Sequence, residues 1–253
     1  MPEKFESQQF RDELAEEIKK TSKDKRKEVL GEKKENPEYW QARTEKIKER
    51  QSEEEIDDGL GILVKKKTIY HGSGISGIEK FDKAEEDTVG SGIYFTSEAK
   101  DAIGYARTRS ERERDPQRND GLPVNPESKP IIYESSVENM KLLDLRKNEN
   151  VKKTLEGFKE ILQKELKKPD LRWSWQAALE QIVETINSGK VGAGNLKEVT
   201  QRTGKMFSEY VKLLGYEGLI TFEGGERNIG NHDTYLIFEG DKVKINQEHN
   251  ISL

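Results

Sequence analysis

The sequence predicts an α+β fold, and three observations predict it. Extended, β-branched segments lie both before and after a long helical stretch. That stretch, residues 148–214, turns through three helical periods in succession. No strand–helix–strand unit repeats, so a doubly wound parallel sheet is not expected. The expected organisation is a charged helical arm or spacer at 1–58, followed by one domain at 59–253 with the helical block inside it.

In the arm, nearly every residue from Phe10 to Gln51 is a strong helix former, with Lys and Glu interleaved. Apolar positions are sparse: Leu14, Ile18, Val29, Leu30, Trp40 and Ile47. A face that thin cannot bury a core, which predicts one or two solvated helices joined near Asn36-Pro37. They would serve as a spacer or as a hairpin that binds a partner. The acidic run at 53–58, closed by Gly59, marks the boundary.

The domain opens with strands at 62–64 and 68–70, separated by a turn over the lysines at 65–67. Residues 97–109 read as a helix, with Ser97 as its cap, Glu98 in the first turn, and Ala99, Ala102, Ile103 and Ala106 keeping one side small. A charged stretch rich in Asn, Gly and Pro follows, and 107–129 reads as a surface loop. Strands are expected at 130–137 and 140–145, helices at 151–166, 173–186 and 196–214 (closed by Gly215), and final strands at 218–222, 235–238 and 242–245. Trp173 and Trp175 would pack a core or interface, or else form a lid.

Composition limits the function. Charged residues make up 37% and hydrophobic ones 32%, so one core filling the whole length is not expected. The net charge of −5 mixes both signs and gives no support for a nucleic-acid face. Without cysteine there is no disulfide, thiolate metal site or cysteine nucleophile, and three histidines (His71, His232, His249) argue against a histidine-rich metal centre. No apolar run approaches the roughly 20 residues that span a bilayer, and the N-terminus lacks an apolar signal core. A cytoplasmic protein without membrane contact is expected; delivery elsewhere by a signal-less route would leave no trace.

Two short segments carry the chemistry. Tyr70-His71-Gly72-Ser73 places a histidine where an extended run meets glycines. The glycine exposes backbone that can pair with a carboxamide, and the imidazole can hydrogen-bond a ribose hydroxyl. Gly90-Ser91-Gly92-Ile93-Tyr94-Phe95-Thr96 is a glycine-rich turn feeding an aromatic strand, and Tyr105 follows on the next helix. Tyr94 and Tyr105 could close on one flat ring, with aromatic stacking adding about 0.5–1.5 kcal/mol, or could simply pack a core. The pair Gly90 and Gly92 is no dinucleotide fingerprint, because the βαβ frame is missing.

With the tail segments Leu214-Gly215-Tyr216-Glu217-Gly218-Leu219-Ile220, Asp233-Thr234-Tyr235-Leu236-Ile237-Phe238 and Val243-Lys244-Ile245, these motifs resemble the ADP-ribosyltransferase fold of the diphtheria-toxin and poly(ADP-ribose) polymerase type. They are most similar to the transferase domain of polyvalent proteins of phages and mobile elements, over about residues 66–245. The resemblance implies a split β-sheet core and NAD as substrate, with a protein or nucleic-acid acceptor. It implies that His71 bonds the nicotinamide ribose, Gly72 holds the carboxamide, Tyr94 is the central aromatic and Tyr105 stacks on nicotinamide. Ser73, Gly92 and Phe95 belong to the same binding motifs, and Ala102 stands where many relatives carry a carboxamide-binding serine.

The third motif departs from the family. Relatives carry a glutamate where this chain has Thr234. A hydrogen bond to a charged group is worth about 1.5–3 kcal/mol against about 0.5–1.5 for a neutral one, so a threonine predicts transfer slower by an order of magnitude or more. Strand alternation turns Asp233 away if Thr234 faces the site, unless a bulge re-aims it. Glu223 and Glu226, in a glycine-rich loop, could fold inward as substitutes, and His232 could meet the acceptor. The expected activity is mono-ADP-ribosylation. The alternatives are an NAD glycohydrolase acting as a toxin and a non-catalytic NAD-binding module; transfer of an RNA 2′-phosphate to NAD is disfavoured by the absence of a basic surface.

Overall fold

The computed structural model describes residues 55–57, 59–81, 89–115, 117, 124–223 and 232–251. Of the arm expected at 1–58, residues 1–54 and 58 lie outside them, as does Glu226. The sheet is organised by two long antiparallel strands, β2 (Gly61–Ser73) and β4 (Ile131–Asp144), paired from Gly61↔Leu143 to Ser73↔Ile131. A three-residue strand, β1 (Glu55–Asp57), adds to β2, so the sheet begins within the acidic run and ahead of Gly59.

These long strands replace the four short ones expected. The lysines at 65–67 form no turn: the ladder keeps one register from Val64↔Met140 to Lys66↔Glu138. What changes there is the parity of the inward set. Ile62 and Val64 enter one core with Leu142 and Met140, whereas beyond the lysines Ile69, Val137, Tyr133 and Ile131 do so. Asn139, opposite Lys65 in this register, sits at φ 52, in the left-handed region that Asn tolerates. The break in alternation that reads as a turn is thus a change of facing within continuous strands.

β3 (Ile93–Thr96) pairs with β2 at Tyr70↔Thr96, and with β6 (His232–Ile237) from Ile93↔Ile237 to Thr96↔Thr234. β5 (Gly218–Glu223) lies antiparallel to β6 and parallel to the end of β4. β2, β3, β6, β5 and β4 therefore close into a ring, with β1 and β7 (Lys244–Asn250) at its margins. Inside the ring Ile69, Ile93, Phe95, Tyr133, Tyr235 and Ile237 form one core. β6 begins three residues earlier than expected, because His232, Asp233 and Thr234 are all buried. β7 starts after the 3₁₀ turn Gly240–Lys242, so Lys242 is outside it.

Five helices flank the ring among the described residues. α1 (Ala99–Arg114) outruns the expected end at 109, since Ser110 and Glu113 stay buried on its inner side. Ser97 does not cap it: the cap is Glu98, and the Ser97 amide donates to the Asp233 carbonyl at 3.3 Å, prolonging the β3–β6 ladder. α2 (Asn148–Glu165) and α3 (Trp173–Asn187) fall close to expectation. The third helix splits into α4 (Lys197–Thr200) and α5 (Gly204–Leu213). At the break, the hydroxyls of Thr200 and Thr203 donate back to the carbonyls of Leu196 (3.3 Å) and Val199 (2.7 Å), competing with helix propagation. Gly215, at φ 87, closes α5 in the left-handed form. Leu155, Phe158, Leu179 and Phe207 from this block pack against Leu219 and Leu236 on the outer face of the ring as a second core. Trp173 is 81% exposed and Trp175 partly buried.

Candidate functional site

The site is built where α1 crosses the end of β2. His71 points into the ring, its imidazole 5.0 Å from the Phe81 ring and 5.6 Å from the Phe95 ring. Nδ1 lies 2.8 Å from the Tyr94 carbonyl oxygen. A carbonyl only accepts, so Nδ1 carries a proton and donates it. Burial pushes the pKa of His71 below the usual histidine value, against the backbone bond that raises it, and the charge of Arg109 lowers it further. The imidazole is therefore neutral near pH 7, with the Nε2 lone pair left as an acceptor.

Gly72, facing the other way, meets α1 directly. A Cβ built there would stand 2.3 Å from the Ala102 carbonyl oxygen, 2.6 Å from the Ala106 amide and 3.0 Å from the Tyr105 Cβ. The bare backbone on this side is covered by the helix. Ala102 is fully buried in the small cluster with Ile103, Ile132 and Ile251, so it packs the helix on the sheet. Ser73 is buried and its hydroxyl accepts from the Ile75 amide at 3.0 Å. Gly92 is pressed against β6, its hypothetical Cβ 2.6 Å from the Ile237 carbonyl. Phe95 is buried with its ring on His71.

The two tyrosines part company. The Tyr94 hydroxyl accepts from the amides of Val89 (3.0 Å) and Gly90 (3.1 Å) and donates to the Gly90 carbonyl (3.1 Å), with the ring on the helical core. Tyr94 meets His71 through its backbone, while its phenol ties down the glycine turn. Tyr105, on α1 beside Gly72, places its hydroxyl 3.3 Å from His232 Nε2, with the rings 5.8 Å apart at 74°. His232 thus joins the cluster that contains Gly72 and Tyr105.

Thr234 lies across β3 from Tyr70, in the cross-strand row Tyr70–Thr96–Thr234–Thr221. At the usual strand spacing this puts it about 10 Å from β2. It is buried, and its Oγ1 has no hydrogen-bond partner among the described residues. Asp233 alternates to the other side of β6. There its Oδ2 accepts from Arg146 Nη1 at 3.0 Å.

Arg146 is the main feature that the motifs missed. Its guanidinium, 9% exposed, also clasps Asp144, Nε to Oδ1 at 2.8 Å and Nη2 to Oδ2 at 3.0 Å. Burial opposes its charge, but the bonds and charge of Asp144, then the charge of Asp233, raise its pKa overall. The spacing Asp144-Leu145-Arg146 at a strand end was the available signal. Arg109 was missed because it sits in the charged stretch that reads as a loop.

Among the described residues no cluster of three or more His, Asp or Glu side chains could hold a metal, and no helix is long and apolar enough to cross a membrane. No protein-family model and no curated protein sequence matches the chain. Among solved structures it is similar to the M. tuberculosis MbcT–MbcA toxin–antitoxin complex, at 13% identity and a TM-score of 0.38, over 76% of this chain and 87% of that one.

Proposed function

We propose that this chain binds NAD and breaks its nicotinamide–ribose bond, passing ADP-ribose to a macromolecule as a mono-ADP-ribosyltransferase. The observation that carries the reading is the His71–Tyr94 bond. It commits Nδ1 to the backbone as a donor, and with burial holding the imidazole neutral the other nitrogen is available to accept. A ribose hydroxyl is the complementary donor. Tyr105, on the neighbouring helix and at 74° to the His232 ring, supplies an aromatic face over the next residue of β2, Gly72, for the nicotinamide ring.

In this reading the residues position and do not attack. His71 Nε2 accepts from a ribose hydroxyl, and Tyr105 holds the leaving ring. The C1′–nitrogen bond breaks with its electron pair going to the pyridinium nitrogen, so nicotinamide departs neutral. The acceptor's oxygen or nitrogen bonds C1′ and releases a proton. Thr234 can offer the developing positive charge only the lone pairs of its hydroxyl, which is weaker electrostatic support than a carboxylate. Its unpaired Oγ1 fits an atom waiting for a ligand partner.

Incubation with NAD, followed by mass spectrometry of candidate acceptors and assay of free nicotinamide, tests the reading. Modified acceptor with nicotinamide release supports transfer. Nicotinamide release alone assigns water as the acceptor and a glycohydrolase activity. Absence of both rules out catalysis. A second reading, a module that binds NAD without turning it over, is favoured by Asp233 being engaged by Arg146 while Thr234 is neutral. Calorimetric NAD binding with no released nicotinamide would select it.

A further inference from the structure

One turn beyond Tyr105, α1 carries a preorganised cation. Ala106 lies over Gly72, and Glu113 lies over Gly74, whose hypothetical Cβ would stand 2.4 Å from Glu113 Oε2. Arg109 falls between these two contacts, over the end of β2. The Glu113 carboxylate is buried, its side chain 9% exposed, and both oxygens are engaged: Oε2 by the Ser128 hydroxyl at 2.9 Å, Oε1 by Arg109 Nε at 2.8 Å. The Asn125 amide donates to the Glu113 carbonyl at 2.9 Å and fixes the same turn.

Gripping a guanidinium by Nε leaves its Nη1 and Nη2 fork directed away from the carboxylate. Neither has a hydrogen-bond partner among the described residues, and the Arg109 side chain is 47% exposed. An Nη fork held in one orientation suits two oxygens of a phosphate group. The Arg109 charge also reaches His71.

We infer that Arg109, positioned by Glu113 and Ser128, is the anion-binding residue of this site and takes the diphosphate of a dinucleotide whose ribose meets His71. The inference rests on the NAD reading for the identity of its ligand, but the anion site can be tested separately. α1 then serves both ends of the ligand: Tyr105 faces the ring and Arg109, on the next turn, the phosphates. Glu113 and Ser128 are positioning residues. They touch no ligand and act through the guanidinium.

The test is calorimetric titration of the full chain with ADP, NAD and nicotinamide riboside, which lacks phosphate. Arg109→Gln is expected to weaken ADP and NAD by roughly tenfold to a hundredfold, the range of a charged hydrogen bond, and to leave the riboside unchanged. Arg109→Lys should restore part of the loss, since it keeps the charge without the fork. Glu113→Gln should weaken ADP less than Arg109→Gln and leave the riboside unchanged, a selectivity that a merely structural role would not produce. Wild-type protein that fails to bind ADP, or Arg109→Gln protein that binds it normally, overturns the inference. ADP binding that depends on Arg109, without riboside binding, keeps the anion site and removes the nicotinamide half of the NAD reading.

Discussion

The imidazole of His71 is bonded to the Tyr94 carbonyl at a point where β2 and β3 share one ladder pair, Tyr70 with Thr96. The side chain therefore reinforces the thinnest seam of the ring while it orients itself. Structure and proposed chemistry depend on the same bond, and the proton on Nδ1 serves both.

The pH dependence of stability follows. The folded state holds His71 below its ordinary pKa, so the unfolded chain binds more protons in the interval between the two values. Stability from this residue is present in full above about pH 6.5 and declines as pH falls through the lowered folded value, by at most about 1.4 kcal/mol per unit. Denaturant melts of wild type and His71→Asn between pH 7.5 and 5 should show a steeper loss in wild type. Parallel curves would refute it.

Gly72→Ala drives a Cβ to 2.3 Å from the Ala102 carbonyl, a backbone atom of α1 that cannot rotate aside. The helix must lift, at a cost of about 1–3 kcal/mol or more, lowering the melting temperature by about 2–4 °C for each. Gly74→Ala instead meets the side-chain ends of Glu113 and Ser128. It should melt closer to wild type but weaken ADP, because Arg109 loses its fixed partner. Equal thermal losses in the two variants would show that the contrast between backbone and side-chain contacts is wrong.

How far the sequence could be read depends on the range of the interactions involved. Strand and helix types were legible, because alternation and helical period are local. The continuity of β2 and β4 was not, since parity changes at Lys65 and Asn139 and only the partner strand shows that register holds. The His71–Gly72 and Tyr94 motifs stood out, yet the Tyr94 phenol is bound to its own glycine turn, which sequence alone gave no reason to choose over a ligand. Arg146 gains meaning from Asp233, 87 residues away, and the Glu113 that holds Arg109 gains its own from Ser128, 15 residues away; pairings at that range leave no local signature.

Arg146→Met tests the ion triad. Removing the guanidinium leaves Asp144 and Asp233 buried without their cation, which costs about 3–5 kcal/mol. The melting temperature should fall by on the order of 10 °C. Asp233→Asn should cost less, because Arg146 keeps two bonds to Asp144. If Arg146→Met melted like wild type, the triad would have no part in fixing β6.

Thr234→Val separates the needs of the fold from those of the reaction. Oγ1 is buried without a partner, so the folded protein bears its desolvation, about 1–3 kcal/mol, with nothing in return. Valine has nearly the same shape and suits a strand, so the variant should melt a few degrees higher. If that hydroxyl contacts the ribose during bond cleavage, nicotinamide release should slow by about tenfold while NAD affinity changes little. Thr234→Glu would place a carboxylate in the same enclosed position; it should melt lower than wild type and, on the proposed reading, release nicotinamide faster. Higher stability with unaltered turnover in Thr234→Val would mean that Thr234 only fills space, and that charge stabilisation must come from elsewhere on the chain.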